Sequence, residues 1–252
     1  MKVIKISSYY EFIEHFGGYP RSSFCPYYYR GINAEYSLIP SICYDNMVGR
    51  IKSFQDYEEC LMRGIAKELA NNYNLAQYKF NDWETWFIAR HFGLKSRMMD
   101  FTKDDRIAIQ FAMDHSPNGL ARIYCLDYSG IKFIQQEDLI KKQIDPFNYH
   151  RLCLIHPGPT YKENVIKKLG ISRILIQMGN FLYQPLSTIS EPITNQIPDH
   201  FWKIFEIHYH HFDKIKKEIE MKDNILMNRD LLKEASPLDD HCKHLNLNLC
   251  CK

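Results

Sequence analysis

Three polar residues stand close together between two segments with helical, apolar periodicity. Arg97, Asp100 and Thr102 lie within HFGLKSRMMDFTKDDRIAIQFA, residues 91–112. Because the first turn of a helix leaves backbone N–H groups unpaired, Asp100 or Thr102 is expected to cap the helix that follows. Arg97 is expected to pair with Asp100 and hold the bend. The arrangement also predicts an anion site, since a helix N-terminus beside an arginine attracts negative charge.

Other groups of reactive residues indicate chemistry less clearly. Cys153 and His156 are three residues apart, and this spacing rarely gives a working nucleophile and base. A histidine- and cysteine-rich set offers metal-binding side chains, but its spacing matches no standard zinc site. The set consists of HYHH (208–211) with His241, Cys242 and His244. We therefore expect no metal.

The overall composition is that of an ordinary globular protein. Of 252 residues, 45% are hydrophobic and 25% are charged, and the formal net charge is +2. This charge gives no general attraction to nucleic acid or to a membrane, so neither is expected as a partner. No apolar run approaches the roughly 20 residues that cross a bilayer. The eight cysteines include no CxxC pair and the first residues do not resemble an export signal, so reduced thiols and a cytoplasmic location are expected.

The periodicity of apolar residues predicts the elements that position these side chains. Helices are predicted at 10–16, 53–69, 81–93, 104–112 and 212–226. Strands are predicted at 26–32, 121–127 and 172–179. Asn81 followed by Glu84 indicates a capping box at the start of one helix. With no repeat and no long linker, the chain is predicted to be a single α+β domain with a mixed or antiparallel β core and flanking helices.

Five segments resemble, in order, the successive blocks of the FRG domain family, which is named for an aromatic-Arg-Gly motif near its start. The segments are YYRGI, SLIPSI, WFIARHFGLKSRMMDFTKDDRIAIQFA, SRILIQMGNF and ILMNRDL. The long block matches the family pattern at His91, Gly93, Arg97, Asp100, Thr102, Ala108, Phe111 and Ala112. The next block matches a Q-x-G-x-F element at Gln177, Gly179 and Phe181.

The departures from the family pattern are small. Ser96 stands where threonine is usual, Met98 and Met99 stand where leucines are usual, and the last block lacks a Phe-Pro pair. The resemblance implies an FRG domain over residues 27–231. Residues 1–26 would then be a helical lead-in and residues 232–252 a C-terminal tail without clear periodicity.

The order of the blocks is also similar to that of the ADP-ribosyltransferase superfamily. There, an Arg or His on a first strand precedes a strand or turn with Ser or Thr, and a Glu-bearing motif follows. Carried over by motif, this resemblance implies an ADP-ribosyltransferase-like fold in which Arg30, Thr102 and Gln177 are the catalytic residues.

The resemblance further implies a cleft that binds NAD as the cofactor. Arg30 would hold a diphosphate or ribose, Gly31 would allow close approach, and Tyr29 or Tyr28 would stack on a ring. Gln177 can bind a ribose hydroxyl, but it lacks the charge with which a glutamate stabilises an oxocarbenium ion. The expected cofactor-binding residues are Tyr29, Arg30, Gly31, Arg97, Asp100, Thr102, Gly179 and Phe181.

Three interpretations stay open. The first is an ADP-ribosyltransferase or NAD glycohydrolase, whose acceptor or protein inhibitor the sequence does not define. The second is a non-catalytic module that binds a nucleotide-like or phosphorylated small molecule, with Arg30, Arg97 and Thr102 as anion contacts. The third is structural, with Arg30 and Asp100 as a buried ion pair.

Overall fold

Eight strands form one mixed sheet in the residues that the computed structural model describes, which are 1–18, 25–44, 53–72, 80–117, 119–158, 179–223 and 242–243. The strands are β1 (Val3–Ile6), β2 (Tyr27–Asn33), β3 (Met98–Thr102), β4 (Leu120–Asp127), β5 (Phe133–Gln135), β6 (Cys153–His156), β7 (Gly179–Tyr183) and β8 (Trp202–His208). Across the sheet their order is β1-β8-β4-β2-β3-β7-β6-β5. Neighbours are antiparallel except at the edges, where β1 is parallel to β8 and β5 to β6.

Six α-helices lie in the same described ranges. They are α1 (Tyr9–Glu14), α2 (Phe54–Asn72), α3 (Asp82–His91), α4 (Asp105–Asp114), α5 (Gln136–Lys141) and α6 (Phe212–Asp223). The predicted capping box of α3 is confirmed, because Asn81 and Glu84 exchange side-chain-to-backbone hydrogen bonds of 3.0 Å. The predicted single-domain α+β fold with a mixed sheet is likewise confirmed. None of the helices described here is long and apolar enough to cross a membrane.

Three groups of buried side chains form the core. On one face of the sheet, α2 and α3 pack over β3, β6 and β7 around Trp86. On the same face, α1, α4 and α6 pack over β2, β4 and β8 around Phe12 and Phe205. The opposite face is covered by loop segments that contribute Leu38 and Ile193. The helical face therefore has two apolar clusters that meet over the central strands β2 and β3.

The bend predicted between α3 and α4 contains the central strand β3. It is paired with β2 on one side and with β7 on the other. Alternation along β3 turns Asp100 and Thr102 toward the helical face and Phe101 toward the opposite face. The prediction of a simple bend was wrong because five residues with two polar positions are too few to show strand periodicity beside two helices.

The cap of α4 also differs from the prediction. Asp104 is the N-cap residue, and its side chain accepts a hydrogen bond from the backbone N–H of Arg106 at 3.0 Å. Neither Asp100 nor Thr102 occupies the cap position, because both belong to β3. An aspartate at the cap is favourable because its oxygen takes one of the unpaired N–H groups of the first turn.

Some predicted segments lie outside the described residues. These include the motif at 225–231 and the strand predicted at 172–179, apart from Gly179, which begins β7. Of the predicted tail at 232–252, Cys242 and Lys243 are described. Cys242 is fully buried in the core cluster under α2 and α3, so this part of the predicted tail packs against the domain.

Gly31 allows α4 to pack directly on β2. A β-carbon at this position would overlap the carbonyl oxygen of Ala108 and would lie 2.8 Å from the backbone nitrogen of Ala112. Backbone atoms cannot rotate away as a long side chain can. The space beside the Gly31 α-carbon is therefore filled by the helix and is not open to a ligand.

Replacing Gly31 by alanine should destabilise the protein by about 1–3 kcal/mol, or more if α4 cannot shift, because the added methyl overpacks the helix–strand contact. Gly119→Ala is the matched control, since a β-carbon there meets nothing within 4 Å. Urea denaturation of both variants measures the difference. Equal stability of the two variants would show that α4 does not press on β2 at Gly31.

Candidate functional site

A polar cluster lies where β2, β3 and the end of α3 meet. We call Arg30, Arg90 and Asp100 the arginine–carboxylate cluster. The Nε of Arg90 donates to Oδ2 of Asp100 at 2.8 Å, and Nη1 of Arg30 lies 3.8 Å from the same oxygen. Nη1 of Arg30 also donates to the backbone carbonyl of Asp100 at 2.6 Å. Two guanidinium groups thus share one carboxylate, which leaves a net positive charge.

The fold brings these residues together from distant parts of the chain. Arg30 lies in β2, next to Tyr29, which pairs with Thr102 of β3. One residue beyond that pair, the Arg30 side chain reaches the main chain of β3 at Asp100. Arg90 lies in the last turn of α3, where the helix dipole favours a cation. The cluster therefore needs both the strand pairing and the packing of α3 on the sheet.

Asp100 presents one carboxylate oxygen to solvent. Its side chain is 40% exposed, whereas the Arg30 side chain is 17% exposed. Within the part of the chain that the structure describes, Oδ2 takes the arginine contacts and Oδ1 accepts no hydrogen bond. Burial acts to raise the pKa of Asp100, but Arg90, Arg30 and His91 outweigh it and hold this pKa below its ordinary value. Asp100 is therefore an ionised carboxylate with a free acceptor oxygen at neutral pH.

The Arg30 guanidinium also keeps hydrogen-bonding capacity. Its Nε is buried and has no hydrogen-bond partner among the described residues. Burial lowers the pKa of Arg30 and the neighbouring Asp100 carboxylate opposes that effect. The ion pair with Asp100 expected in the structural interpretation is present, but its carboxylate is open to solvent rather than buried.

Arg97 is far more enclosed than the cluster arginines and has a different partner. Its Nε lies 2.8 Å from Oε2 of Glu58, and both side chains are fully buried. The backbone N–H of Arg97 donates to Oε1 of Glu58 at 2.7 Å. Burial raises the pKa of Glu58 to about 7, against the opposing charge of Arg97. The predicted pairing of Arg97 with Asp100 is wrong, because Arg97 precedes β3 and pairs with Glu58 of α2, whereas Asp100 pairs with Arg90 of α3 and with Arg30.

Aromatic rings and main-chain oxygens complete the surroundings of Arg97. Its guanidinium carbon lies 5.2 Å from the ring centroid of Trp86 and 5.0 Å from that of Tyr183. Its Nη2 donates to the carbonyl of Phe147 at 3.2 Å. With this environment Arg97 holds α2, α3 and β7 together, and no surface of it is open to an anion in solution.

The Thr102 hydroxyl is used within the chain. Its Oγ1 accepts a hydrogen bond from the backbone N–H of Asp104 at 3.0 Å, and the residue is almost fully buried. This contact shapes the turn between β3 and α4. Thr102 also lies opposite Gly179 in the pairing of β3 with β7, and a β-carbon on Gly179 would meet nothing within 4 Å. Among the described residues, nothing therefore fills the space that a side chain at position 179 would occupy beside Thr102.

The remaining predicted residues lie in different surroundings. Tyr29 is fully buried in the core under α1 and α4. Phe181 stacks on Phe87 with the ring centroids 4.6 Å apart and is almost fully buried. Neither ring has a face open to a ligand. Gln177 lies outside the described residues.

Two residues with important contacts were not predicted from the sequence motifs. They are Arg90, which pairs with Asp100, and Glu58, which pairs with Arg97. Arg90 is part of WFIARHFG, and its position ten residues before Asp100 gives no signal of contact unless β3 is recognised as a strand. Glu58 lies on the buried side of α2 among apolar residues. A lone acidic residue in that stripe is the one signal that could have indicated a buried partner.

Replacing Arg97 by methionine should destabilise the protein by about 3–5 kcal/mol, because Glu58 is left buried without its counter-ion. The double variant with Glu58→Met should recover part of this loss, since no buried charge then remains. Urea denaturation of the wild type, both single variants and the double variant gives the coupling energy. Simple additivity of the two losses would contradict a direct pair.

Comparison with known proteins supports the relationship that the motifs indicate. A model of the FRG domain matches residues 25–119, which include the YYRGI motif and the long block up to the end of α4. No curated protein and no solved structure gave a significant match. Arg30, Arg90 and Asp100 all fall within the matched residues. Residues 25–119 therefore match the FRG domain, and the arginine–carboxylate cluster lies inside the matched residues.

Proposed function

We propose that the chain binds a nucleotide-like or phosphorylated small molecule at the arginine–carboxylate cluster. The observation that carries this proposal is the unequal sharing of hydrogen bonds: two guanidinium groups hold one oxygen of Asp100, while Oδ1 of Asp100 and Nε of Arg30 have no partner among the described residues. The fully buried Arg97 also has an Nε without a hydrogen-bond partner, so the feature that distinguishes the cluster is the solvent-exposed acceptor oxygen of Asp100 beside two guanidinium groups.

The chemistry of the cluster suits a ligand that carries both phosphate and hydroxyl groups. A guanidinium binds phosphate oxygens with parallel hydrogen bonds from its planar fork. The ionised Asp100 carboxylate repels a bare phosphate but accepts a hydrogen bond from a ribose hydroxyl. A phosphate at the exposed part of the Arg30 guanidinium and a hydroxyl at Asp100 would therefore be bound together by the cluster.

NAD is the first ligand to test, because the order of the sequence motifs is similar to that of ADP-ribosyltransferases. The accessible carboxylate of Asp100 favours cleavage of NAD as a second candidate function. In that reaction the bond from nicotinamide to ribose breaks, its electron pair leaves with nicotinamide, and positive charge develops on the ribose. An adjacent carboxylate stabilises this charge, a role that the neutral Gln177 does not provide. Water or another acceptor then adds to the ribose carbon and loses a proton.

Arg30→Lys should weaken the binding of ADP-ribose by about 1–3 kcal/mol, since lysine keeps the charge but loses the planar fork. Arg63→Lys is the matched control, because Arg63 lies exposed on α2 and pairs with Glu59 within the same helix. Calorimetric titration measures affinity, and thermal melts of the same samples show whether each variant folds. Unchanged affinity in folded Arg30→Lys would contradict the proposed site.

Asp100→Asn distinguishes the binding module from the enzyme. If the Asp100 carboxylate stabilises the ribose cation, the variant should release nicotinamide from NAD at least about tenfold more slowly, while ADP-ribose affinity should change less. Nicotinamide is measured by chromatography with Arg63→Lys as the control. Binding of ADP-ribose without nicotinamide release by the wild type would favour the non-catalytic module.

A further inference from the structure

Two tyrosine rings contact each other on the surface of the FRG domain. Tyr36 and Tyr44 are 53% and 42% exposed, and their ring centroids lie 5.3 Å apart at an interplanar angle of 72°. The hydroxyl of Tyr44 donates a hydrogen bond to the carbonyl of Ser37. The rings are thus held by each other and by the chain while much of their surface stays in water. Large exposed aromatic surface in this form is typical of binding sites.

The short 3₁₀ turn at Ser41–Cys43 connects Tyr44 to the arginine–carboxylate cluster. The Ser41 hydroxyl accepts a hydrogen bond from Nη1 of Arg90 at 3.1 Å. The backbone N–H of Tyr44 donates to the carbonyl of Ser41 at 3.3 Å. Two successive hydrogen bonds therefore link the ring-bearing residue to an arginine of the cluster.

Tyr36 is connected to the candidate site through β2, the strand that contains Arg30. It follows the end of β2, and its backbone N–H donates to the carbonyl of Asn33 at 3.1 Å. Burial raises the pKa of the Tyr44 phenol and the charge of Arg30 opposes that rise, so the phenol lies within electrostatic reach of the guanidinium. Both sides of the tyrosine pair are thus tied to elements of the candidate site.

We propose that Tyr36 and Tyr44 form an aromatic platform that binds the heterocyclic base of a nucleotide whose phosphate and ribose occupy the arginine–carboxylate cluster. This inference rests on the proposed function and narrows the ligand class from phosphorylated small molecules to nucleotides. The main observation behind this proposal is that the exposed ring pair adjoins a cluster of two arginines whose Asp100 carboxylate has one oxygen open to solvent. Tyr28 and Tyr29, which the sequence motif offers for stacking, are both buried and cannot take this role.

The platform predicts a loss of affinity that depends on the base. Tyr36→Leu and Tyr44→Leu should each weaken the binding of ADP-ribose by about tenfold, the effect expected for removing one aromatic partner of a base. The same variants should change the binding of ribose 5-phosphate, which has no base, by less than about twofold. Calorimetric titration of both ligands measures the affinities. Tyr10→Leu is the matched control, because Tyr10 has similar exposure on α1.

Tyr44→Phe separates the ring from the hydroxyl. It removes the bond to the Ser37 carbonyl but keeps the ring, so it should retain ADP-ribose affinity within about threefold. Thermal melts of every variant show whether the protein is folded. Should Tyr44→Leu fail to fold, Tyr36→Leu still tests the platform, since no side-chain hydrogen bond holds Tyr36 in the described residues.

The outcomes distinguish this inference from the proposed function. If the wild type binds ADP-ribose, Arg30→Lys weakens it and both leucine variants leave it unchanged, the platform is wrong and the proposed site stands. Equal losses for ADP-ribose and ribose 5-phosphate in the leucine variants would also overturn the platform. If the wild type binds neither ligand, both the proposed function and the platform are wrong.

Discussion

The buried contact between Glu58 and Arg97 is the constraint on which the position of the candidate site depends. The carboxylate of Glu58 accepts a hydrogen bond from the backbone N–H of Arg97 and forms an ion pair with its guanidinium, 2.8 Å from Nε. Buried charged groups are tolerated only when their partners are well placed, so the residue just before β3 has little freedom to shift along α2. A slip of one residue in a strand would turn every side chain to the opposite face. The contact therefore holds Asp100, three residues further on, toward Arg90 of α3.

The three arginines near β3 have different surroundings, and these surroundings suit one arginine to a structural role and the other two to the proposed binding site. Arg97 lies beside two aromatic rings, donates from Nη2 to a carbonyl oxygen and forms an ion pair with Glu58. Arg30 and Arg90 instead converge on Asp100, whose second oxygen faces solvent. A buried cation paired within the core stabilises a unique packing arrangement. A cation pair that shares one exposed carboxylate keeps charge available for a ligand, which is why we propose the cluster as the binding site.

The motif residues thus have two different kinds of role. Gly31 and Thr102 shape the connection of β2, β3 and α4, since the first admits the helix backbone and the second accepts a turn N–H. Tyr29 and Phe181 fill the two apolar clusters of the helical face. The matched motif therefore includes residues that pack the central strands as well as Arg30 and Asp100 of the proposed site.

The sequence by itself determined the fold class, most of the helices and the identity of the FRG motifs, because these depend on local signals. The periodicity of α2, the capping box at Asn81 and the aromatic strand β2 all act over a few residues. Arg30 and Asp100 were named as candidate site residues from the family resemblance of the motifs that contain them.

Only the tertiary structure decided which partners these residues have. β3 was not predictable because its five residues alternate too briefly. The pairing of Arg97 with Glu58 spans 39 positions, and that of Arg90 with Asp100 joins a helix to a strand whose existence was unknown. Electrostatic attraction acts between any two opposite charges that the fold brings close. The sequence therefore shows which residues are charged but not which of them form pairs. That choice follows from strand register and helix packing, which bury Arg97 and leave Asp100 open to solvent.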